Sequence, residues 1–200
     1  MPHLITLTGP SGSGKSTVVK YLVTNADIGF NPELVPKYAT REPRKDDGNE
    51  IICVKVIPDE CDLIYEQYEV RYGIELKGIF DRMAKGSSPI IILNDVRTVE
   101  DVRAALKGLV RSVFVFREGP TFERYRQLAN SRGVQNEEDT ERRFRKAQAI
   151  YRIYIENIHL FDHVIVNGGS REDLKMQVRR ITNGLKQNMN WPLHESKKVI

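Results

Sequence analysis

The chain has 200 residues, 29% of them charged and 40% hydrophobic, with a formal net charge of +4. This balance belongs to a globular domain with a sizeable core and excludes a disordered polyelectrolyte. No run approaches the ~20 apolar residues that span a bilayer, and Cys53 and Cys61 lack metal-ligand spacing, so reduced thiols in a cytoplasmic protein with no removable leader are expected.

Residues 3 to 8 are apolar and β-branched and read as a strand, and residues 16 to 23 carry apolar side chains at helical spacing. Between them runs Gly-Pro-Ser-Gly-Ser-Gly-Lys-Ser-Thr, in which Gly9, Gly14, Lys15 and Ser16 fill the pattern G-x-x-x-x-G-K-[ST]. Strand, loop and helix in that order identify a P-loop. Glycines let successive N–H groups turn inward around phosphate oxygens, and the start of the following helix adds partial positive charge. The loop made by Gly9, Pro10, Ser11, Gly12, Ser13, Gly14, Lys15, Ser16 and Thr17 is therefore expected to hold the phosphates of ATP. Lys15 would reach the β- and γ-phosphates and the Ser16 hydroxyl would hold Mg²⁺.

Residues 25 to 36, with Pro32 and Pro36, read as a connection. Residues 34 to 40 form a short strand leading into Thr-Arg-Glu-Pro-Arg, where Pro43 keeps Glu42 out of helix, so Arg41 and Arg44 sit on extended or turn backbone. Residues 45 to 48 make a turn, 51 to 57 a strand, and 63 to 70 a weaker strand ended by Tyr72-Gly73. A helix over 75 to 85 stops at Gly86. The apolar runs 89 to 93 and 111 to 116 read as strands buried on both faces, with a helix over 98 to 106 between them. This alternation predicts a doubly wound parallel sheet. Beyond residue 119 the chain turns arginine-rich, with helices over 122 to 130 and 137 to 158 around a loop. A strand over 161 to 166 and a helix over 172 to 186 follow, and residues 187 to 200 show no pattern. Tyr151 and Tyr154 read as packing. The four histidines do not form ligand spacing, so no metal beyond the nucleotide-bound Mg²⁺ is expected.

Four pieces together resemble the guanylate kinase family of P-loop phosphotransferases: the P-loop, Thr40 to Arg44 as T-R-x-P-R, Tyr72-Gly73, and an R-G…R-R-F segment from Arg132 to Phe144. The similarity covers roughly residues 4 to 185. It implies an α/β, three-layer P-loop NTPase with a central parallel sheet, an inserted β-rich acceptor-binding lobe and a helical lid. The implied division is a core at 1–36, 78–120 and 147–186, a lobe at 37–77, a lid at 121–146 and a tail at 187–200. The implied reaction moves the ATP γ-phosphoryl to a nucleoside monophosphate, GMP or dGMP. Arg41 and Arg44 would grip the acceptor phosphate, a task suited to the guanidinium fork, with Tyr72 beside them. Arg132 and Arg143 would meet charge on the transferred group. Glu66 would face the base, and Asn167 would approach the adenine of ATP.

Departures from the family pattern fall where the base is read. Lys37 stands in place of a serine, Ile74 replaces another, and Leu93-Asn94-Asp95 has one aspartate where the family has two. Asp95 either orders Mg²⁺ through water, faces the acceptor, or caps the helix before Thr98. Tyr38-Ala-Thr-Arg41, Tyr72-Gly-Ile74 and Asn94-Asp-Val-Arg97 also resemble ribose 1,5-bisphosphate phosphokinases, which act on a sugar phosphate. A non-catalytic guanylate kinase-like binding module is the remaining alternative, and the complete P-loop weighs against it. Either a nucleotide or a sugar phosphate is thus the expected small-molecule partner. Neither a membrane nor a nucleic acid is expected as a partner, and the sequence leaves the oligomeric state open.

Overall fold

A computed structural model describes residues 2–24, 31–44, 47–67, 69–93, 95–117, 121–131 and 136–190. In chain order its strands are β1 (Leu4–Thr8), β2 (Asn31–Leu34), β3 (Lys37–Ala39), β4 (Ile51–Cys53), β5 (Leu63–Gln67), β6 (Val70–Ile74), β7 (Ser87–Ile92), β8 (Val110–Phe116) and β9 (His163–Val166). Its α-helices are α1 (Lys15–Thr24), α2 (Leu76–Ala84), α3 (Val96–Leu106), α4 (Phe122–Ser131), α5 (Glu137–Glu156) and α6 (Arg171–Asn190).

The apolar runs that read as doubly buried strands pair as expected. A five-stranded sheet in the order β2-β7-β1-β8-β9 is parallel throughout. At its centre Ile5 lies opposite Ile90 and Leu7 opposite Ile92, and every residue of β1 and β7 is buried. Because successive side chains point to opposite faces, the strands feed two apolar layers. Ile5, Leu7, Val113 and Val115 pack under α1 and α6 through Val18, Leu22, Leu174 and Val178. Leu4, Ile91 and Leu93 pack under α2 and α3 through Ile79, Met83, Val99 and Val102. The result is a helix–sheet–helix sandwich, and the carboxyl ends of its strands present their loops on one side.

A second sheet, β4-β3-β6-β5, is built from the chain between β2 and α2. It is mixed, with β3 parallel to β4 and antiparallel to β6. Lys37 in β3 joins it to the large sheet by donating from Nζ to the carbonyl of Ile92, 2.6 Å away.

Several elements depart from the sequence reading. The connection at 25 to 36 contains β2, an edge strand in which Pro32 is tolerated because an edge has one unpaired side. The strand expected over 51 to 57 stops at Cys53. The strand expected over 63 to 70 is a hairpin of β5 and β6, with Glu69 at φ 64° in its turn, and Tyr72-Gly73 lies inside β6 rather than ending it. The last helix continues through Asn190. Among the described residues no helix is long and apolar enough to cross a membrane.

Candidate active site

The P-loop links β1 to α1, and two of its glycines are fixed there by geometry. Gly9 has φ 153°, and a Cβ on it would stand 2.3 Å from the Val115 carbonyl oxygen; Gly14 has φ 104°, with a Cβ position 2.4 Å from Asn167 Nδ2. Side-chain donors hold the loop's carbonyls. Lys15 Nζ donates to the carbonyls of Gly9 (2.8 Å) and Pro10 (2.9 Å), and Tyr125 Oη to that of Ser11 (2.9 Å). Arg117 Nη1 donates to Gly12 (2.7 Å) and Asn167 Nδ2 to Ser13 (2.8 Å). Five consecutive carbonyls are thus taken by donors, which suits a loop whose N–H groups receive an anion. Asn167, expected near adenine, is placed on the loop itself. Ser16 is exposed in the first turn of α1, while Ser13 is buried.

Helices α4 and α5 pack on each other beside this loop. Phe144 sets its ring edge-on to Phe122 (5.8 Å) and Tyr125 (5.5 Å). Tyr151 packs on Phe116 and donates to the Arg117 carbonyl (2.9 Å), while Tyr154 stacks on Phe114, so both tyrosines serve packing. Arg143 belongs to α5, whereas Arg132 and the R-G pair at 132–133 lie outside the described residues.

On the small sheet, Arg41 follows β3. Its Nη1 donates to the Glu42 carbonyl (2.9 Å) and to Asp47 Oδ2 (2.8 Å), while Nη2 donates to Asp47 Oδ1. A carboxylate that takes both Nη atoms occupies the end of the fork and leaves Nε. Nε is buried and has no hydrogen-bond partner, so its N–H is a donor that the described residues leave unused. The contact raises the guanidinium pKa, chiefly through the hydrogen bond to Asp47 and more weakly through Tyr72. Asp47 is held below the usual carboxylate range, first by Arg41 and also by the backbone N–H of Arg44, 2.7 Å away. Arg44 is itself exposed.

Lys37 is only 3% exposed. Besides its bond to Ile92, its ammonium lies 5.0 Å from the centre of the Tyr72 ring and 5.9 Å from that of Tyr65. Burial lowers its pKa to about 8; Lys15 and Arg41 are near enough to push the same way, and Glu50 opposes them. Lys15, Lys37 and Arg41 therefore share one electrostatic neighbourhood where the two sheets meet. Tyr65 and Tyr72, opposite each other on β5 and β6, stack with centroids 5.1 Å apart. The Tyr65 hydroxyl is buried without a partner, and its pKa is raised by burial first, then by Tyr72 and Asp95.

The structure thus brings Lys15, Arg41, Tyr72 and Asp95 around one junction. Glu66 pairs with Arg71 on the opposite face of the hairpin and is exposed. Asp95 caps α3, its Oδ2 accepting from Thr98 N (2.8 Å) and Oγ1 (2.7 Å), which leaves Oδ1. The sequence reading had not singled out Asp47, Tyr65, Tyr125 or Arg117. Lys37 was marked in the sequence only as a departure from the family's serine, which did not show its burial.

The model of the guanylate kinase family matches residues 1–185. A guanylate kinase of Prochlorococcus marinus subsp. pastoris is 32% identical over 185 residues, covering 88% of this chain and 94% of its own. One of Streptomyces kasugaensis is 30% identical over 194 residues, covering 90% and 88%. The crystal structure of guanylate kinase from Anaplasma phagocytophilum shares the fold, with TM-score 0.62 at 20% identity over 96% of this chain and 88% of that one.

Proposed function

This chain belongs to the guanylate kinase family, and from that premise we propose that it transfers the γ-phosphoryl group of ATP to a nucleoside monophosphate, GMP or dGMP. The observation that carries the reading is the shared neighbourhood of Lys15, on the P-loop, and Arg41, whose Nε–H is an unused buried donor. Two phosphate-bearing ligands held by these groups would meet between the sheets.

In this reading residues 9 to 17 grip the donor phosphates, and Lys15 exchanges the Gly9 and Pro10 carbonyls for phosphate oxygens. Ser16 and, through water, the remaining oxygen of Asp95 offer the hard oxygen donors that suit Mg²⁺, whose charge, when bound, offsets that of the donor's β- and γ-oxygens. Arg41 and Arg44 take the acceptor phosphate from the lobe at residues 37–77, with the Tyr72 hydroxyl alongside. The segment 121–146 serves as the lid over the core, and Arg132 and Arg143 meet charge on the transferred group. Phosphoryl transfer asks the protein for positioning and charge stabilisation rather than covalent chemistry, and lid closure excludes the water that would hydrolyse ATP. The unpaired Cys53 and Cys61 suit a reducing cytoplasm.

The test is ATP turnover with GMP, dGMP, AMP, UMP and ribose 1,5-bisphosphate as acceptors. GMP or dGMP is expected to be phosphorylated, and Lys15→Ala to lower kcat by about 10²- to 10³-fold at unchanged melting temperature. If no acceptor is consumed and ATP does not raise the melting temperature, the proposal fails.

A further inference from the structure

We propose that Arg117 is a positioning residue for the donor: its guanidinium keeps the phosphate loop in the shape that receives ATP, and Tyr151 ties that hold to α5. This deepens the preceding reading on the donor side and rests on its assignment of ATP.

Three groups from outside the P-loop hold consecutive carbonyls at its tip: Tyr125 on Ser11, Arg117 on Gly12 and Asn167 on Ser13. Two of these donors are neutral and the middle one is a cation. A carbonyl needs only a neutral donor, so the charge placed on Gly12 has a reason of its own. Gly12 sits at φ 77°, and glycine passes between positive and negative φ at little cost, so the peptides beside it are the easiest in the loop to turn over. Arg117 fixes the oxygen of the Gly12–Ser13 peptide, and the Ser13 N–H is turned back to the Pro10 carbonyl (3.2 Å). Lys15 is bonded to that same Pro10 carbonyl and to Gly9. Once Lys15 leaves both for phosphate oxygens, those carbonyls lose a donor, while the bond from Arg117 can stay. A loop that meets a triphosphate with its N–H groups needs its carbonyl dipoles turned outward. A charge-assisted bond is about twice as strong as a neutral one, and its cation adds to the positive field of the loop.

The guanidinium is well placed for this because its backbone is held from two sides. Arg117 directly follows β8, and the loop abuts that strand so closely that a Cβ on Gly9 would stand 2.3 Å from the Val115 carbonyl oxygen. From the other side the Tyr151 hydroxyl accepts from the Arg117 N–H (3.3 Å) and donates to its carbonyl (2.9 Å), with its ring edge-on to Phe116. Tyr151 belongs to α5, which also carries Arg143 and Phe144. Phe144 packs on Tyr125, the residue that holds Ser11. One helix therefore bears on two neighbouring loop peptides, through Tyr151 and Arg117 on Gly12 and through Phe144 and Tyr125 on Ser11.

The experiment titrates ATP and, separately, GMP into the wild-type chain, Arg117→Met, Arg117→Lys and Tyr151→Phe by calorimetry, and records the melting temperature of each protein alone. Arg117→Met should weaken ATP binding by about 10- to 100-fold, with GMP affinity within about twofold of the wild type. The contact is a single bond to a carbonyl and asks for a charged donor rather than a fork, so Arg117→Lys should recover most of the loss. Tyr151→Phe keeps the ring packing and should weaken ATP binding about two- to tenfold, again without effect on GMP. An equal loss for ATP and GMP, a lower melting temperature with ATP affinity intact, or no recovery in Arg117→Lys makes Arg117 part of the scaffold and overturns the inference, with the kinase assignment left standing. Wild-type binding of ATP but not GMP would sink the acceptor assignment and not this one, whereas a wild type that binds no ATP removes the reading and this inference together.

Discussion

Asp47 decides how the Arg41 guanidinium is turned. By occupying both Nη atoms it fixes the guanidinium plane and leaves Nε turned away from the carboxylate. An amide at this position keeps the size but loses the charge and one of the two accepting oxygens, and charge-assisted bonds of this kind contribute about 1.5–3 kcal/mol each. Asp47→Asn is therefore expected to raise the KM for the acceptor about tenfold or more while kcat and the KM for ATP stay within about twofold, as read in initial-rate assays. An unchanged acceptor KM would show that Arg41 holds its pose without Asp47. The residue scale is also where the sequence was least informative. Arg41 was legible through its motif, but its partner sits six residues on in what reads as a plain turn. Glu66 and Tyr65 are adjacent, and adjacent residues in a strand face opposite ways. Only the register of β5 on β6 shows that the ring, and not the carboxylate, shares a face with Tyr72.

Among the elements, the P-loop and the strands that flank it follow from local rules: uninterrupted apolar runs for β1, β7 and β8, and glycine where φ is positive. Gly9 shows how tightly the loop is set against β8. An alanine there adds a Cβ 2.3 Å from the Val115 carbonyl, on backbone that side chains rarely adopt, and the backbone atom it meets cannot rotate away. Gly9→Ala is expected to cost about 2–4 kcal/mol in urea unfolding and to abolish ATP-induced thermal stabilisation; a fully stable variant that still binds ATP would contradict the loop geometry. Other elements were hidden for equally physical reasons. β2 was masked by Pro32, acceptable only because the strand lies at an edge, which tertiary pairing alone decides. The β5–β6 hairpin turns through Glu69 with positive φ, without the Gly or Asn that usually marks such a turn.

For the molecule as a whole, the buried ammonium of Lys37 makes stability depend on pH. Its folded pKa is about 8 against an ordinary 10.5, so between those values the unfolded chain binds more protons and stability rises with pH. The full shift corresponds to roughly 3 kcal/mol. Subtracting the unfolding free energy of Lys37→Met from that of the wild type cancels the tyrosine and cysteine titrations common to both. That difference should move in favour of the wild type by about 2 kcal/mol between pH 7.5 and 9.5; a pH-independent difference would mean that the folded pKa of Lys37 is not lowered and that the ammonium stays charged throughout this range. The two-sheet architecture makes this possible, because a lysine on the small sheet reaches the carboxyl end of the large one only where the two abut.

The bond from the Tyr125 hydroxyl to the Ser11 carbonyl, between neutral groups, joins α4 to the phosphate loop. Such a contact contributes about 1 kcal/mol, so, counted alone, it would be broken in roughly one molecule in six at 25 °C. A contact of that size, taken by itself, breaks and re-forms on thermal fluctuation alone, without any signal.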